Sequence, residues 1–316
     1  MRKFIMSDIH GFGNVYYSMM NYVDNISKEE DVELYINGDL FDRGYESAEI
    51  LLDIKRRIEE NKYKIVYLGG NHELMMHEVF EKRKKNVYVS YFNDWYDNGG
   101  FITDDGLYEK LKDKNKILEV ADFVSNLKIY HKFEEKINGK PIVLVHAACP
   151  KIVKDECDMH IKDNNDNVFY SVWTRKDDLI NASYLFRVSP CEIKIWHDKY
   201  FTIIGHTPVN TQYGFEYYRK KDYLNIDGGC AAYVKGAFQY NHFPLVEVEN
   251  NYLKILTFNS KNGIDYGNYF NGERFIPYAH GELKKARGYL NKELEMNELA
   301  LNEDDVVIYK KKKLHR

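Results

Sequence analysis

Short apolar runs alternate with longer amphipathic segments along the chain, and this pattern predicts an α/β fold. Continuous runs of Val, Ile, Leu and Tyr are typical of strands that are buried on both faces. Each of these runs ends next to a Gly, Asp, Asn or His, so polar groups are expected at the strand ends. The predicted strands are Lys3–Ser7, Val32–Asn37, Lys64–Leu68, Pro141–Val145, Phe201–Ile204 and Tyr223–Ile226.

The segments between the first three runs have helical periodicity. In Asn14–Ile26 and Ser47–Glu60 the apolar residues recur close to the spacing i, i+3, i+4, i+7, which predicts amphipathic helices. Asp39 lies 31 residues after Asp8, and Asn71 lies 32 residues after Asp39. A βαβ unit has about this length. Residues 1–75 therefore predict two successive βαβ units and a mostly parallel, doubly wound sheet.

Two long intervals interrupt this rhythm. Residues 74–140 are charged and aromatic, with a helical pattern over Lys116–Asn126, and residues 147–200 are polar and irregular. Both intervals leave the predicted sheet after the carboxyl end of a strand, where α/β proteins bind their ligands. We expect them to be cap-like insertions that form the walls of a substrate cleft.

The last part of the chain predicts strands and then an extension. The runs Ala237–Tyr240, Leu245–Val248 and Leu253–Thr257 have the pattern of hairpin strands. Residues 259–316 have a pattern of their own, with a helix predicted near Gly281–Leu290. We therefore divide the chain into a main domain of residues 1–258 and a C-terminal extension of residues 259–316.

Composition and charge narrow the function classes. With 45 Lys and Arg against 49 Asp and Glu, the formal net charge is −4, which argues against a dedicated nucleic-acid-binding protein with a large basic face. No apolar run approaches the ~18 residues that a membrane-spanning helix needs. The four cysteines form no Cys-x-x-Cys motif and suggest no disulfide scaffold, which fits a reducing compartment. We expect a cytoplasmic protein that binds neither a membrane nor long nucleic acids.

Metal-ligating residue types follow the predicted strands. A single His or Asp at a strand end is more often a structural residue, but here the whole set recurs at strand ends, beside glycines. Mixed imidazole and carboxylate donors suit manganese, iron, zinc, cobalt or nickel better than calcium. Six ligands are too many for one catalytic ion and suit two ions that share a carboxylate. The candidates are Asp8, His10, Asp39, Asn71, His146 and His206, with Asp42, Arg43 and His72 beside them.

These residues lie in five short sequence blocks, and the set of blocks resembles that of a known family. The blocks are Asp8-Ile9-His10-Gly11, Gly38-Asp39-Leu40-Phe41-Asp42-Arg43-Gly44, Gly70-Asn71-His72-Glu73, Val145-His146-Ala147 and Gly205-His206-Thr207-Pro208. Over residues 1–258 they resemble the signature blocks of the calcineurin-like metallophosphoesterases, and more narrowly the PPP-type serine/threonine phosphatases of bacteria and phages. The resemblance implies a central β-sandwich flanked by helices, with a dimetal site at the carboxyl ends of the strands.

The resemblance also implies roles for the residues of the blocks. Asp8, His10 and Asp39 would hold the first metal ion. Asp39 would also bind the second ion, and the side chains of three further residues would complete the coordination of that ion. Those three residues are Asn71, His146 and His206.

The remaining roles concern the substrate. His72 resembles the general acid that protonates the leaving alkoxide, and Asp42 resembles its orienting partner. Arg43 and Asn71 would contact the phosphate. A second phosphate oxygen would be bound by Arg175, in a Trp-x-Arg triplet, with Arg187 as the alternative.

The function that follows is a metal-dependent phosphomonoesterase. It would hydrolyse phosphoserine- and phosphothreonine-type esters by means of a metal-activated water, with two divalent ions as cofactors. Manganese is the first choice of metal, and iron, zinc, nickel and cobalt are alternatives. The substrate would be a phosphorylated protein or a small phosphate ester. The sequence does not indicate an oligomeric state.

Three other functions stay open at this point. The symmetrical diadenosine tetraphosphatases share the blocks, but they usually carry Ala at the position of Asp42 and Asp at the position of Glu73, so both residues here favour the phosphatase. Another nucleotide phosphatase, such as a 2′,3′-phosphatase for small substrates, is a further alternative. A non-catalytic scaffold is the third, and the presence of every expected ligand argues against it.

Overall fold

Two β-sheets and seven α-helices make up most of the part of the chain that the structure describes. The computed structural model describes residues 1–175, 197–211, 214–230, 242–259, 263–270, 275–277, 298–301 and 307–310. The elements in chain order are β1 (Arg2–Met6), α1 (Gly13–Ile26), β2 (Val32–Asn37), α2 (Ser47–Glu60), β3 (Lys64–Leu68), α3 (Asn71–Lys84), α4 (Asp94–Asp97), α5 (Gly100–Leu111), α6 (Lys114–Ser125), β4 (Tyr130–Ile137), β5 (Lys140–Val145), α7 (Asp166–Trp173), β6 (Phe201–Ile204), β7 (Glu216–Tyr218), β8 (Tyr223–Asn225), β9 (Phe243–Glu249), β10 (Tyr252–Asn259), β11 (Gly263–Phe270), β12 (Phe275–Pro277), β13 (Glu298–Leu301) and β14 (Val307–Lys310).

The first sheet has the strand order β12-β11-β10-β9-β1-β2-β3. Strands β1, β2 and β3 are parallel, and helices α1 and α2 connect them, so the two predicted βαβ units are confirmed. On its other side β1 pairs with β9 in antiparallel orientation. Strands β9 and β10 form an antiparallel pair, which confirms the two strands predicted over residues 245–257.

The second sheet has the order β4-β5-β6-β8-β7. Its three central strands, β5, β6 and β8, are parallel, and both edge strands run antiparallel to their neighbours. Parallel strands place their carboxyl ends at the same edge of a sheet. The segments that follow β5 and β6 therefore leave the second sheet together. Strands β13 and β14 pair only with each other among the described strands.

The inner faces of the two sheets share one apolar cluster. Ile5 and Tyr35 from the first sheet lie in the same buried cluster as Leu144 and Ile203 from the second. Because successive side chains of a strand point to opposite faces, their neighbours point outwards. The outward residues Phe4, Leu34 and Val143 belong to a separate cluster with residues of the helices.

This layering is a β-sandwich flanked by helices, so the fold class implied by the resemblance is confirmed. The single doubly wound sheet expected from periodicity alone is wrong. A strand that is covered by helices on one face and by a second sheet on the other is as apolar throughout as a strand between two helix layers. Periodicity could therefore not distinguish the two arrangements.

The intervals 74–140 and 147–200 contain most of the remaining helices. The first includes most of α3, all of α4, α5 and α6, and strand β4, and the helix predicted over Lys116–Asn126 is confirmed as α6. The second includes α7. The strand predicted at Ala237–Tyr240 and the helix predicted near Gly281–Leu290 lie outside the described residues. Among the helices the structure describes, none combines the length and apolar character needed to cross a bilayer.

Candidate metal centre

The carboxyl ends of four strands, together with the start of α3, bring the predicted ligands to one place. Asp8 and His10 follow β1, Asp39 follows β2, His146 follows β5 and His206 follows β6. Asn71 is the first residue of α3, directly after β3 and a Gly-Gly turn. All six side chains are buried. The two sheets thus contribute to a single polar cluster at one edge of the sandwich.

Several of these residues have an unusual backbone conformation. Asp8, His10, Asp39 and His206 have positive φ angles of 54°, 50°, 51° and 65°. For residues other than glycine this left-handed region costs free energy, of the order of 1–2 kcal/mol per residue. Such conformations concentrate at functional sites, where the surrounding fold holds them. Here hydrogen bonds between neighbouring turns hold them, including the His10 N–H donating to the Asp39 carbonyl at 3.0 Å.

Asp39 lies between two groups of potential metal ligands. His10, Asp39 and His72 form one group, and Asp39, His146 and His206 form the other; within each group one donor atom per residue lies within 4.8 Å of the others. Oδ2 of Asp39 is 3.6 Å from Nε2 of His10, and its Oδ1 is 3.3 Å from Nε2 of His146. The two carboxylate oxygens thus face different groups, as a bridging carboxylate requires.

Asn71 lies beside the second group, and Asp8, which the resemblance assigns to the first ion, contacts a residue of the second group. Oδ1 of Asn71 lies 2.8 Å from Nδ1 of His206 and 3.2 Å from Nε2 of His146. Asp8 lies outside both groups; its carboxylate accepts hydrogen bonds from the His206 N–H at 3.0 Å and from the Ser7 hydroxyl. A Cβ at Gly205 would come within 2.0 Å of the Asp8 carboxylate, so this approach requires glycine.

The electrostatics of the cluster favour a cation. Burial raises the pKa of Asp8 well above its usual range, and repulsion from Asp227 and Asp39 adds to the rise. Burial lowers the pKa of His10 and His206, which leaves these imidazoles neutral, as metal ligands must be.

The pKa values of Asp39 and His146 are shifted in the opposite directions. Burial alone would raise the pKa of Asp39, but the imidazoles of His146, His72 and His10 outweigh it and hold this pKa well below its usual range. Burial alone would lower the pKa of His146, but the carboxylates of Asp39 and Asp8 raise it to about 10. The carboxylates beside His146 thus favour positive charge at this point of the cluster. Buried nitrogen and oxygen donors around a shared carboxylate fit first-row transition ions.

His72 pairs with Asp42 beside the first group. Nδ1 of His72 is 2.7 Å from Oδ2 of Asp42, and both side chains are fully buried. Since an ionised carboxylate only accepts hydrogen bonds, Nδ1 carries the proton. Nε2 of His72 has no hydrogen-bond partner among the described residues, and it lies 3.8 Å from Oδ2 of Asp39. This nitrogen faces the centre of the cluster and could bind a ligand there.

The two predicted phosphate-binding arginines lie at different ends of the cluster. Nη1 of Arg43 is 3.1 Å from Nε2 of His10, and Nε of Arg175 is 3.2 Å from Nε2 of His206. The two guanidinium groups thus lie next to different ligand groups. Arg187 lies outside the described residues.

The structure adds two buried acids that the sequence analysis did not assign to the site. Glu73 accepts hydrogen bonds from the N–H groups of Asp39 at 3.0 Å and Leu40 at 3.2 Å, so it shapes the turn that presents the Asp39 carboxylate. Burial raises the pKa of Asp227 to about 6. Asp227 closely follows β8 and precedes two glycines, which is the signal that identified the other strand-end residues.

Comparisons with known proteins agree with this geometry. A family model described as calcineurin-like phosphoesterase matches residues 1–236. The chain is 28% identical over 148 residues to serine/threonine-protein phosphatase 2 of Salmonella typhimurium, and the match covers 46% of this chain and 58% of that protein. The matched region thus spans less than two thirds of that relative's length.

Solved structures also resemble the chain. A protein serine/threonine phosphatase from Saccharomyces cerevisiae has a TM-score of 0.48 and 13% identity, with 78% of this chain and 72% of that chain covered. A putative diadenosine tetraphosphatase has a TM-score of 0.46 and 15% identity, with 83% of this chain and 95% of that chain covered.

Proposed function

We propose a reaction and a substrate class from one premise, which is that the chain belongs to the calcineurin-like phosphoesterase family. The protein is accordingly a phosphoesterase. The finer proposal is that it hydrolyses phosphomonoesters of the phosphoserine and phosphothreonine type. The observation that carries the proposal is Asp39, whose two carboxylate oxygens face two separate groups of histidines.

Six side chains would hold two divalent ions, for which manganese is our first choice. They are Asp8, His10, Asp39, Asn71, His146 and His206. When bound, such ions neutralise phosphoryl oxygens and lower the pKa of a coordinated water. The nucleophile would therefore be water, and the reaction needs no serine or cysteine nucleophile.

His72 would act as the general acid. Its Nδ1–H donates to Asp42, which fixes the ring and leaves Nε2 directed towards the centre of the cluster. A proton on Nε2 would pass to the leaving oxygen of the ester as the bond to phosphorus breaks. Proton transfer of this kind contributes about 10²–10⁴-fold in rate.

Arg43 and Arg175 would bind phosphoryl oxygens. A planar guanidinium matches the geometry of a phosphate and donates two parallel hydrogen bonds. The two residues lie beside His10 and His206, next to different ligand groups. A phosphate bound by both guanidinium groups would therefore lie beside both ligand groups.

The His72–Asp42 pair supports an alkyl ester as substrate. The alkoxide that leaves a phosphoserine is a strong base and needs a proton. The nucleoside diphosphate that leaves a dinucleoside tetraphosphate is a much weaker base, so it depends less on protonation by a general acid. Both Asp42 and Glu73 are present where the diadenosine tetraphosphatases usually have Ala and Asp. The Salmonella relative is named as a serine/threonine-protein phosphatase, which agrees with this choice.

A reducing compartment, the cytoplasm, is part of the proposal. Cys149, Cys157 and Cys230 are buried free thiols in the described part of the chain. Burial raises the pKa of Cys149 to about 12, so its thiol stays protonated and unreactive near neutral pH.

The test is the hydrolysis of three substrates, measured side by side with Mn²⁺ as phosphate released from the monoesters and as ADP formed from the dinucleoside tetraphosphate. The substrates are a phosphoserine peptide, an aryl phosphate and diadenosine tetraphosphate, with the Asp39→Asn variant as the inactive control. We expect the wild-type protein to release phosphate from the peptide and the aryl ester. Faster cleavage of the tetraphosphate than of either monoester would assign the site to nucleotides, and no metal-dependent hydrolysis of any substrate would reject the proposal.

A further inference from the structure

The carboxylate of Asp42 receives more than the hydrogen bond from His72. Its Oδ2 accepts from Nδ1 of His72 at 2.7 Å and from the indole Nε1–H of Trp95 at 2.8 Å. Its Oδ1 accepts from the hydroxyl of Thr103. Both oxygens of the carboxylate are therefore occupied. Asp42 cannot rotate away from His72 without breaking bonds to two other side chains.

All four of these side chains are buried. Asp42, His72 and Thr103 are fully inaccessible to solvent, and Trp95 is nearly so. A buried carboxylate is costly unless hydrogen bonds satisfy it, and an indole N–H can only donate. The indole of Trp95 and the hydroxyl of Thr103 thus satisfy the buried carboxylate of Asp42. Because all of these groups are buried, water cannot readily take the place of either donor.

The two additional donors come from helices rather than from strand ends. Trp95 lies on α4 and Thr103 on α5, within the first predicted insertion. The indole packs against Phe80 of α3, with ring centroids 6.0 Å apart. A Cβ at Gly100 would come within 2.3 Å of the indole Nε1, so glycine at this position lets the ring reach Asp42.

An ion pair holds these helices together. Arg83 of α3 donates to both carboxylate oxygens of Asp104, at 2.8 and 2.6 Å, and to the hydroxyl of Tyr96 at 2.6 Å. Asp104 directly follows Thr103, and Tyr96 directly follows Trp95. The backbone of both donors is therefore braced from α3, the helix that carries His72.

We propose that Trp95 and Thr103 are positioning residues for the proton transfer by His72, acting through Asp42. This inference rests on the proposed function. The two donors hold the carboxylate in the orientation that directs Nε2 of His72 to the leaving oxygen. Their removal lets Asp42 turn, and the imidazole then loses its alignment while the ligand groups stay in place.

The decisive experiment compares leaving groups in matched variants. Thr103→Val removes the hydroxyl and keeps the shape, Thr103→Ser keeps the hydroxyl, and Trp95→Phe removes the indole donor. Thr202→Val is the control, because Thr202 is also a fully buried threonine and lies on β6. For each variant kcat and KM are measured with an alkyl phosphate and with an aryl phosphate whose phenolate needs no proton.

We expect Thr103→Val and Trp95→Phe to lower kcat on the alkyl phosphate by about 10–100-fold, and to change it by less than about 3-fold on the aryl phosphate. KM should stay within about 2-fold, and Thr103→Ser should restore most of the alkyl activity. In an Asp42→Asn background, adding Thr103→Val should cost little more. Equal losses on both esters, or full additivity in that background, would overturn the proposal in favour of a purely structural role.

A second measurement does not depend on activity. The proton on Nδ1 of His72 is buried in a short hydrogen bond to a carboxylate, so it should give a far-downfield proton resonance that disappears in His72→Asn. We expect this resonance to move or broaden in Thr103→Val and to stay unchanged in Thr202→Val. An unchanged resonance in Thr103→Val would contradict the proposal even if the wild-type protein proved to hydrolyse no phosphomonoester.

Discussion

The two halves of the candidate site are built by different parts of the fold. The ligand half, our name for the six proposed metal ligands, comes mainly from turns at strand ends, where Asp8, His10, Asp39 and His206 have left-handed backbone angles. The acid half, our name for the proposed general acid His72 with Asp42, is held by Trp95 and Thr103 on helices α4 and α5. A dense local motif therefore encodes the first half. The second half depends on side chains 53 and 61 residues away from Asp42.

The largest expected effect would come from breaking the ligand half. Asp39→Asn removes one of the two carboxylate oxygens that face the histidine groups. We expect loss of bound metal and a fall in activity of ~10³-fold or more, since metal ions contribute several kcal/mol to such reactions. Elemental analysis and phosphate release are the measurements. Asp222→Asn, a substitution at an aspartate that pairs with Lys140 on the surface, is the control and should leave both unchanged.

The next effect would separate the acid half from the ligand half. His72→Asn should keep both metals and slow the hydrolysis of alkyl phosphates by ~10²–10⁴-fold. The loss should shrink for activated aryl esters, and Asp42→Asn should follow the same pattern more mildly. A series of leaving groups, with metal content determined for each variant, is the measurement. Missing metal in His72→Asn would move His72 into the ligand half, beside His10 and Asp39.

A smaller effect would come from the turn beneath Asp39. Glu73 accepts hydrogen bonds from the backbone N–H groups of Asp39, Leu40 and Gly70. Glu73→Gln would direct an NH₂ group at such donors and should destabilise the fold by ~1–3 kcal/mol. It should also weaken metal binding. Denaturant unfolding and metal titration would measure these changes, with the exposed Glu134→Gln as control. Weaker metal binding without loss of stability would show that Glu73 acts by charge rather than by shaping the turn.

The smallest effect concerns a histidine outside both halves. Burial lowers the pKa of His131 to about 4. The unfolded chain, with an ordinary histidine pKa near 6.5, binds more protons than the folded one between pH ~6.5 and ~4, so stability falls as the pH drops through this window. The contribution is at most ~3 kcal/mol.

His131 lies between Tyr35 and Phe133, so His131→Phe is a suitable variant. We expect it to lose less stability than the wild-type protein when unfolding is compared at pH 7 and pH 5. His160→Gln, a substitution at another partly exposed histidine, is the matched control. An acid sensitivity that is unaffected by His131→Phe would place its origin elsewhere, including the carboxylates of the ligand half.

The sequence predicted that the residues of the ligand half lie close together, because the signals for their positions are local. Strand, turn and ligand follow each other within a few residues, as in the segment that ends at His206. Helices α1 and α2 were also predictable, since each presents one apolar stripe. The second sheet was not predictable from periodicity. Leu144 is buried against another sheet and Phe4 is buried against helices, but in the sequence both are simply apolar residues of a strand, so the two environments cannot be distinguished.

The acid half was only partly predictable for a related reason. Asp42 and His72 belong to recognisable blocks, but nothing local marks Trp95 or Thr103 as their partners. Both lie in a segment that was expected only to border the cleft. A tryptophan four residues before a Gly-Gly pair is consistent with many packing roles. Its contact with Asp42 depends on how α4 and α5 fold back over the strand ends.

The left-handed backbone of Asp8, His10, Asp39 and His206 also determines which substitutions are informative. Asparagine adopts positive φ angles far more readily than alanine does. An alanine scan of this cluster would add a backbone penalty of ~1–2 kcal/mol at each of these residues to the loss of a donor. Such a scan would make ligands look like folding residues. Asparagine replacements remove the charge or the imidazole while keeping a side chain suited to the turn, so their effect on metal binding is measured without the added backbone penalty.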